Sequence, residues 1–130
     1  MNKLPLIYIA SPYTKGDPCI NARFQMHVFD RIIESRLAIP YAPLIAHYQH
    51  TVFPRPYNDW IDYGLAMLGR CDAVLSLDAT FIWPDGTTYL ETQSNGREME
   101  EAYAKRRGLP IYYSIHELFD SLKKGELKQQ

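Results

Sequence analysis

The chain has 130 residues, 46% hydrophobic and 22% charged, with 14 Lys and Arg against 15 Asp and Glu and a net charge of -1. That length fills one hydrophobic core and leaves no room for a second domain, and the even charge balance excludes the basic surface that a nucleic-acid polymer requires. The apolar N-terminal run is interrupted by Pro5 and ended by Ser11-Pro12, too short for a signal peptide or a membrane span, and Cys19 and Cys71 stand apart without metal spacing. A soluble protein of the reducing cytoplasm with two free thiols is expected.

Leu4 to Ala10 has strand length, with Ile7, Tyr8 and Ile9 at its centre, and reads as the buried first strand of a parallel sheet. Tyr13 to Gly16 is then a loop at its carboxyl end, and Asp17-Pro18 starts a helix, Asp as N-cap and Pro at the first helical position. Ile20, Phe24, Val28 and Ile32 recur every four residues, the buried stripe of a helix reaching to about Arg36. Leu37 to Ala42 is a second strand. Leu44 to Pro56 reads as a long loop holding His47, His50 and Arg55, a length that in a small domain signals function. Two histidines without a third ligand do not make a metal site, and none is expected.

Asp59 caps a helix that turns Trp60, Gly64, Met67, Leu68 and Cys71 inward, and Ala73 to Leu77 is the third strand. Asp78 to Gln93 is loop again, with Trp83 and the turn signal Pro84-Asp85-Gly86. The stretch from Ser94 to Ala104 opens the next helix, with Asn95 as N-cap and Glu98 reaching back from the third helical position. Glu98 is thereby explained. Glu100 is not: four residues on stands Ala104, which is no basic partner, so its carboxylate is the first candidate for chemistry. Gly108 is the C-cap, Ile111-Tyr112-Tyr113 a fourth strand, and Ser114 starts a last helix with Ile115, Leu118, Phe119 and Leu122 inside. Residues 123–130 read as a solvated, frayed tail.

Strands alternating with helices predict an α/β fold, a doubly wound parallel sheet of four to five strands in a single domain over residues 1–130. Ligands of such sheets bind at the carboxyl ends of the strands, where the loops after Ala10, Ala42 and Leu77 converge. Ten Tyr and two Trp suit a pocket for a planar ring, and equally an oligomer interface.

Five segments occur in a telling order: Tyr8-Ile9-Ala10-Ser11-Pro12-Tyr13-Thr14, the Cys71-Asp72-Ala73-Val74-Leu75 strand, the Trp83 loop, Ser94-x-Gly96-x-x-x-Glu100-x-x-x-Ala104, and Gly108-x-Pro110. Together they resemble the nucleoside 2-deoxyribosyltransferase family, and in particular its small bacterial and phage relatives. The resemblance spans roughly Leu4 to Tyr113. It implies a flavodoxin-like sheet, a homodimer or higher homo-oligomer, no cofactor, and attack on the N-glycosidic bond of a 2'-deoxynucleoside or its 5'-monophosphate. Glu100 falls where the family has its nucleophilic glutamate. Ser94 and Gly96 match the turn before it, and Ser11 and Tyr13 match the substrate-lining loop after the first strand, while Trp83 either stacks on a base or covers the core.

The chain departs from the family pattern in two places. About eight residues ahead of Asp72 the family carries an aspartate that handles the base or its proton. Here that position is Gly64, and Asp62, the nearest acid on that helix, is turned roughly 200° away by its two-residue offset. Asp62 is the second catalytic candidate on the condition that the helix register differs. The loop from Trp83 to Ser94 is also longer than expected. A non-catalytic nucleotide-binding module of the same fold is the alternative function.

Overall fold

Five consecutive residues, Leu6–Ala10 (β1), form the strand around which the sheet is assembled. The computed structural model describes residues 3–11, 18–77, 81–82, 88–89 and 95–127. In chain order β1 is followed by α1 (Pro18–Ser35), β2 (Ile39–Tyr41), a 3₁₀ turn (Pro43–Ile45), α2 (Ala46–Val52), α3 (Tyr57–Leu68) and β3 (Ala73–Ser76). Then come β4 (Phe81–Ile82), β5 (Thr88–Tyr89), α4 (Asn95–Arg106), β6 (Ile111–Tyr112) and α5 (Ile115–Lys123).

The main sheet is parallel throughout, in the order β2-β1-β3-β6. Because β1 pairs with β2 on one side and β3 on the other, the chain reverses its direction of winding between β1 and β3, which is the topological switch point of a flavodoxin-like sheet. The period of two along β1 then sorts side chains by face. Ile7 and Ile9, with Ala73 and Leu75 of β3, pack on Phe24, Val28 and Ile32 of α1 and Ile115 and Leu118 of α5. Tyr8 and Ala10, with Val74, meet Leu68, Cys71, Ala104 and Leu109 on the α3 and α4 side. Each large aliphatic group so enclosed contributes about 1.5–3 kcal/mol, so both faces are needed to hold the sheet.

Polar groups fix the ends. Asp72 is buried and its Oδ2 accepts from the Leu6 amide at 2.7 Å, tying the start of β1 to β3, a structural role. Ser114 caps α5 by accepting from the Glu117 amide at 3.1 Å. Gly108, at φ 71, ends α4 as expected, with the Leu109 amide donating back to the Ala104 carbonyl at 2.9 Å.

Five expectations need correction. Asp59 does not cap α3, because the helix already starts at Tyr57 after Pro56 and Asp59 lies within its first turn. Ile20 is 43% exposed and stands outside the stripe of α1, whose buried face instead takes in Asn21 and Gln25 beside Phe24 and Val28. The segment from Leu44 to Pro56 is largely helical: Pro43 starts the 3₁₀ turn and α2 follows it directly. Within the expected loop 78–93, Phe81–Ile82 and Thr88–Tyr89 pair as an antiparallel ribbon. Finally, residues 123–127 are not frayed, because Gly125 at φ 69 lets the Glu126 amide donate to the Ser121 carbonyl at 3.1 Å and brings Leu127 onto the core.

Candidate active site

A cavity of about 100 Å³ lies beside the carboxyl end of β1, between the 3₁₀ turn, α2, α3 and the first turns of α4. Tyr8 and Ser11 come from the strand and its end, His47 and His50 from α2, Tyr57, Trp60, Tyr63 and Gly64 from α3, and Met99 and Glu100 from α4. The walls are mostly aromatic or aliphatic. Glu100 is the one carboxylate among them.

Burial and two neighbours define the Glu100 carboxyl. The Tyr8 hydroxyl hydrogen-bonds it from β1, whereas Oε2 is enclosed and has no hydrogen-bond partner among the described residues. An enclosed acceptor left open in this way costs about 1–3 kcal/mol, a cost that calls for an explanation such as a catalytic role or a bound water or ion. Burial is the main cause that pushes the acid up, from an ordinary 4.5 to about 8; the Tyr8 hydrogen bond opposes the rise, and the charge of Glu101 adds to it. Glu101 itself points elsewhere, accepting a short hydrogen bond from the Ser76 hydroxyl at the end of β3 and so fastening the first turns of α4 over the sheet.

Behind Tyr8 stands a chain of phenols. The Tyr8 and Tyr41 rings lie 5.5 Å apart, and Tyr41 shares a hydrogen bond with Tyr63. Burial pushes both the Tyr8 and the Tyr41 hydroxyl well above the ordinary phenol range, so both remain protonated and Tyr8 is held as a donor to Glu100. Gly64 is part of this arrangement: a Cβ placed there would stand 3.2 Å from the Tyr8 hydroxyl. A side chain there would require the Tyr8 hydroxyl to give by a few tenths of an ångström.

Ser11 is held from beneath. The fully buried Gln25 donates from Nε2 to the Ile9 carbonyl at 2.9 Å and to Ser11 Oγ at 2.8 Å, while its Oε1 accepts from the Leu44 amide at 3.0 Å. One side chain thus joins the end of β1 to the 3₁₀ turn. Because Ser11 Oγ accepts from Gln25, its own proton is left to donate elsewhere.

Of the residues proposed from sequence, Glu100 and Ser11 are brought together in the cavity. Gly96 lies in the first turn of α4, one turn before Glu100, and the helix already begins at Asn95. Asp62 is exposed on α3 and is not among the cavity-lining residues, whereas Gly64, two positions on, is buried and lines it. The helix keeps the register that turns Asp62 away, so the condition under which it could serve is not met. Tyr13, Trp83 and Ser94 lie outside the described residues. Sequence reasoning did not single out Tyr8, Gln25, His50 or Trp60 for the site. Tyr8 carried a signal, since a polar-tipped residue in an otherwise aliphatic strand must send its hydroxyl to a partner.

A second hollow of about 470 Å³ between α1 and α5 is lined by Phe24, Arg31, Tyr113, His116, Phe119 and Asp120 among others. Its acid, Asp120, is exposed and paired with Lys124 at 2.9 Å, so it offers no comparable reactive group. Among the described residues no helix is long and apolar enough to cross a membrane, and no three His, Cys, Asp or Glu side chains are grouped to hold a metal ion. No protein-family model, curated protein or solved structure matches the chain. The class of protein is thus defined by its flavodoxin-like α/β fold and by a half-buried glutamate whose Oε2 is enclosed at the switch-point end of the sheet.

Proposed function

We propose that this chain cleaves, or transfers at, the N-glycosidic bond of a 2'-deoxynucleoside or deoxynucleoside 5'-monophosphate, with Glu100 as the nucleophile, in the manner of the nucleoside 2-deoxyribosyltransferases it resembles. The observation that carries the reading is the Glu100 carboxyl, enclosed, held on one oxygen by Tyr8 and open on the other. A carboxylate so placed below a sugar can bond C1' as the bond to the base breaks, the electron pair leaving with the base; water or a second base then displaces the glutamate. Ser11, with its free proton, is placed to hold a sugar hydroxyl. The aromatic side chains of α3 supply an apolar wall for the base. The cavity is smaller than the roughly 300–1,000 Å³ of ordinary ligand sites, so it takes the reacting end of the substrate and leaves the rest outside it. A cytoplasmic location and a homo-oligomeric state belong to the same reading.

The test is release of free base. Purified protein is incubated with each deoxynucleoside and its 5'-monophosphate, and the products are separated by chromatography, with Glu100→Ala in parallel. Base released by the wild type and not by the variant is expected; equal release by both refutes Glu100 as nucleophile. Gly64 favours a second reading, a nucleotide-binding module without turnover, because the position at which the resembled family carries its aspartate has no side chain here. That reading requires a nucleotide to raise the melting temperature with no product formed.

A further inference from the structure

His50 is held in one tautomer by its surroundings. Its Nδ1 accepts from the Trp60 indole Nε1–H at 2.8 Å and from the Arg55 backbone N–H at 3.1 Å. Two N–H groups aimed at one ring nitrogen leave it the acceptor, so the proton of the neutral imidazole resides on Nε2. The Trp60 and His50 rings meet edge-on, 5.8 Å between centroids at 81°, which fixes the plane of the imidazole as well as its tautomer. Both rings line the cavity that holds Glu100. A neutral side chain with a fixed donor, set in an apolar wall, is therefore presented where a base would lie.

We infer that His50 recognises the departing base, donating a hydrogen bond from Nε2–H to an acceptor atom of the base, and that Trp60 is its positioning residue. This rests on the glycosidic reading above, and it supplies the interaction with the base that Gly64 cannot. His50 does not act as the general acid in this role. Surrendering the Nε2 proton would leave an imidazolate, so the ring keeps its proton and stabilises the electron pair that the base carries away when C1'–N breaks. The proton that the base finally takes comes from water, and the Glu100 oxygen bonded to C1' is released when hydroxide from that same water replaces it. The donor acts most strongly on the base as charge develops, so its loss is felt in kcat more than in KM.

The test compares His50→Asn with His50→Gln. Asparagine can place a polar group only near the Nδ1 position, whereas glutamine reaches the Nε2 position with an N–H. Base release from the deoxynucleoside and deoxynucleotide panel is measured for the wild type and both variants, with melting temperatures alongside. A hydrogen bond to developing charge predicts a loss of about 10- to 100-fold in kcat for His50→Asn with KM nearly unchanged, and restoration of most of it by His50→Gln. Release by the wild type together with equal rates in the two variants, both unimpaired or both reduced, overturns the role of His50 while leaving Glu100 in place. No release by the wild type from any member of the panel overturns the glycosidic reading, and this role with it. Nitrogen NMR of the wild-type imidazole gives a check independent of turnover and of variant folding: an Nε2–H signal with bare Nδ1 is expected, and a protonated Nδ1 refutes the proposal.

Discussion

Replacing Glu100 by Gln is expected to stop turnover and to stabilise the fold, two effects that a merely structural glutamate would not combine. The carboxyl stands at about 8 in the folded chain against 4.5 ordinarily, so the native state holds this proton more tightly than the unfolded one. By linkage, the stability associated with Glu100 is intact at pH below its ordinary value, declines as pH rises through the interval, and levels off once the folded-state value is passed. At about 1.4 kcal/mol for each full pH step, less where titration is incomplete at both ends of the interval, the wild type forfeits about 3–4 kcal/mol between about pH 5 and about pH 8. Glutamine keeps the acceptor for Tyr8 and has no charge to bury, so the variant lacks that decline. Urea unfolding of both proteins across this range reads the difference directly. Near pH 8 the variant should be the more stable by about 3–4 kcal/mol, roughly 10 °C in melting temperature for a chain of this size. Parallel stability curves for the two proteins would refute the buried, proton-holding Glu100.

Three further outcomes follow from the same contacts. If the ionised carboxyl is the nucleophile, kcat/KM for base release should rise with pH, reach half its maximum near 8 and level above it. Tyr8→Phe, which removes the hydrogen bond that opposes the rise, should move that profile to still higher pH; an unmoved profile would deny Tyr8 its part. Gly64→Ala places a methyl 3.2 Å from the Tyr8 hydroxyl and should cost about 1 kcal/mol in urea unfolding and lower turnover by disturbing the hydrogen bond to Glu100. For the same reason Gly64→Asp should gain no activity, and a gain in the base-release assay would show that Tyr8 yields readily. Gln25→Leu strips the Leu44 amide and the Ile9 and Ser11 oxygens of their buried partner and should destabilise by about 2–4 kcal/mol; a loss below half a kcal/mol, read the same way, would mean water replaces the side chain.

The parts of the fold that local chemistry dictates were legible in the residues themselves. The aliphatic run at Ile7 to Ile9, the strand at Ala73, the turn at Gly108 and the cap at Ser114 each follow from a neighbour a few positions away, and all four stand where expected. Glu100 was legible too as a candidate, since Ala104 gives it no basic partner four residues on. Ile20 misled because a period of four drifts around a helix of 3.6 residues per turn, and only the position of the sheet decides which edge of the stripe is covered. The polar Asn21 and Gln25 were placed inside by that same decision, since Gln25 finds its partners on β1 and at the 3₁₀ turn, far along the chain.

Sequence alone therefore determined the class of fold and singled out one candidate residue for chemistry. The tertiary structure decided what surrounds it. The register of α3 turns Gly64 inward and Asp62 outward; β1 passes beneath α4 closely enough for Tyr8 to bond Glu100; and α2, expected as loop, brings His50 to Trp60. These contacts join residues ten to ninety-two positions apart, and their distances depend on how helices pack across a sheet, which no local pattern specifies.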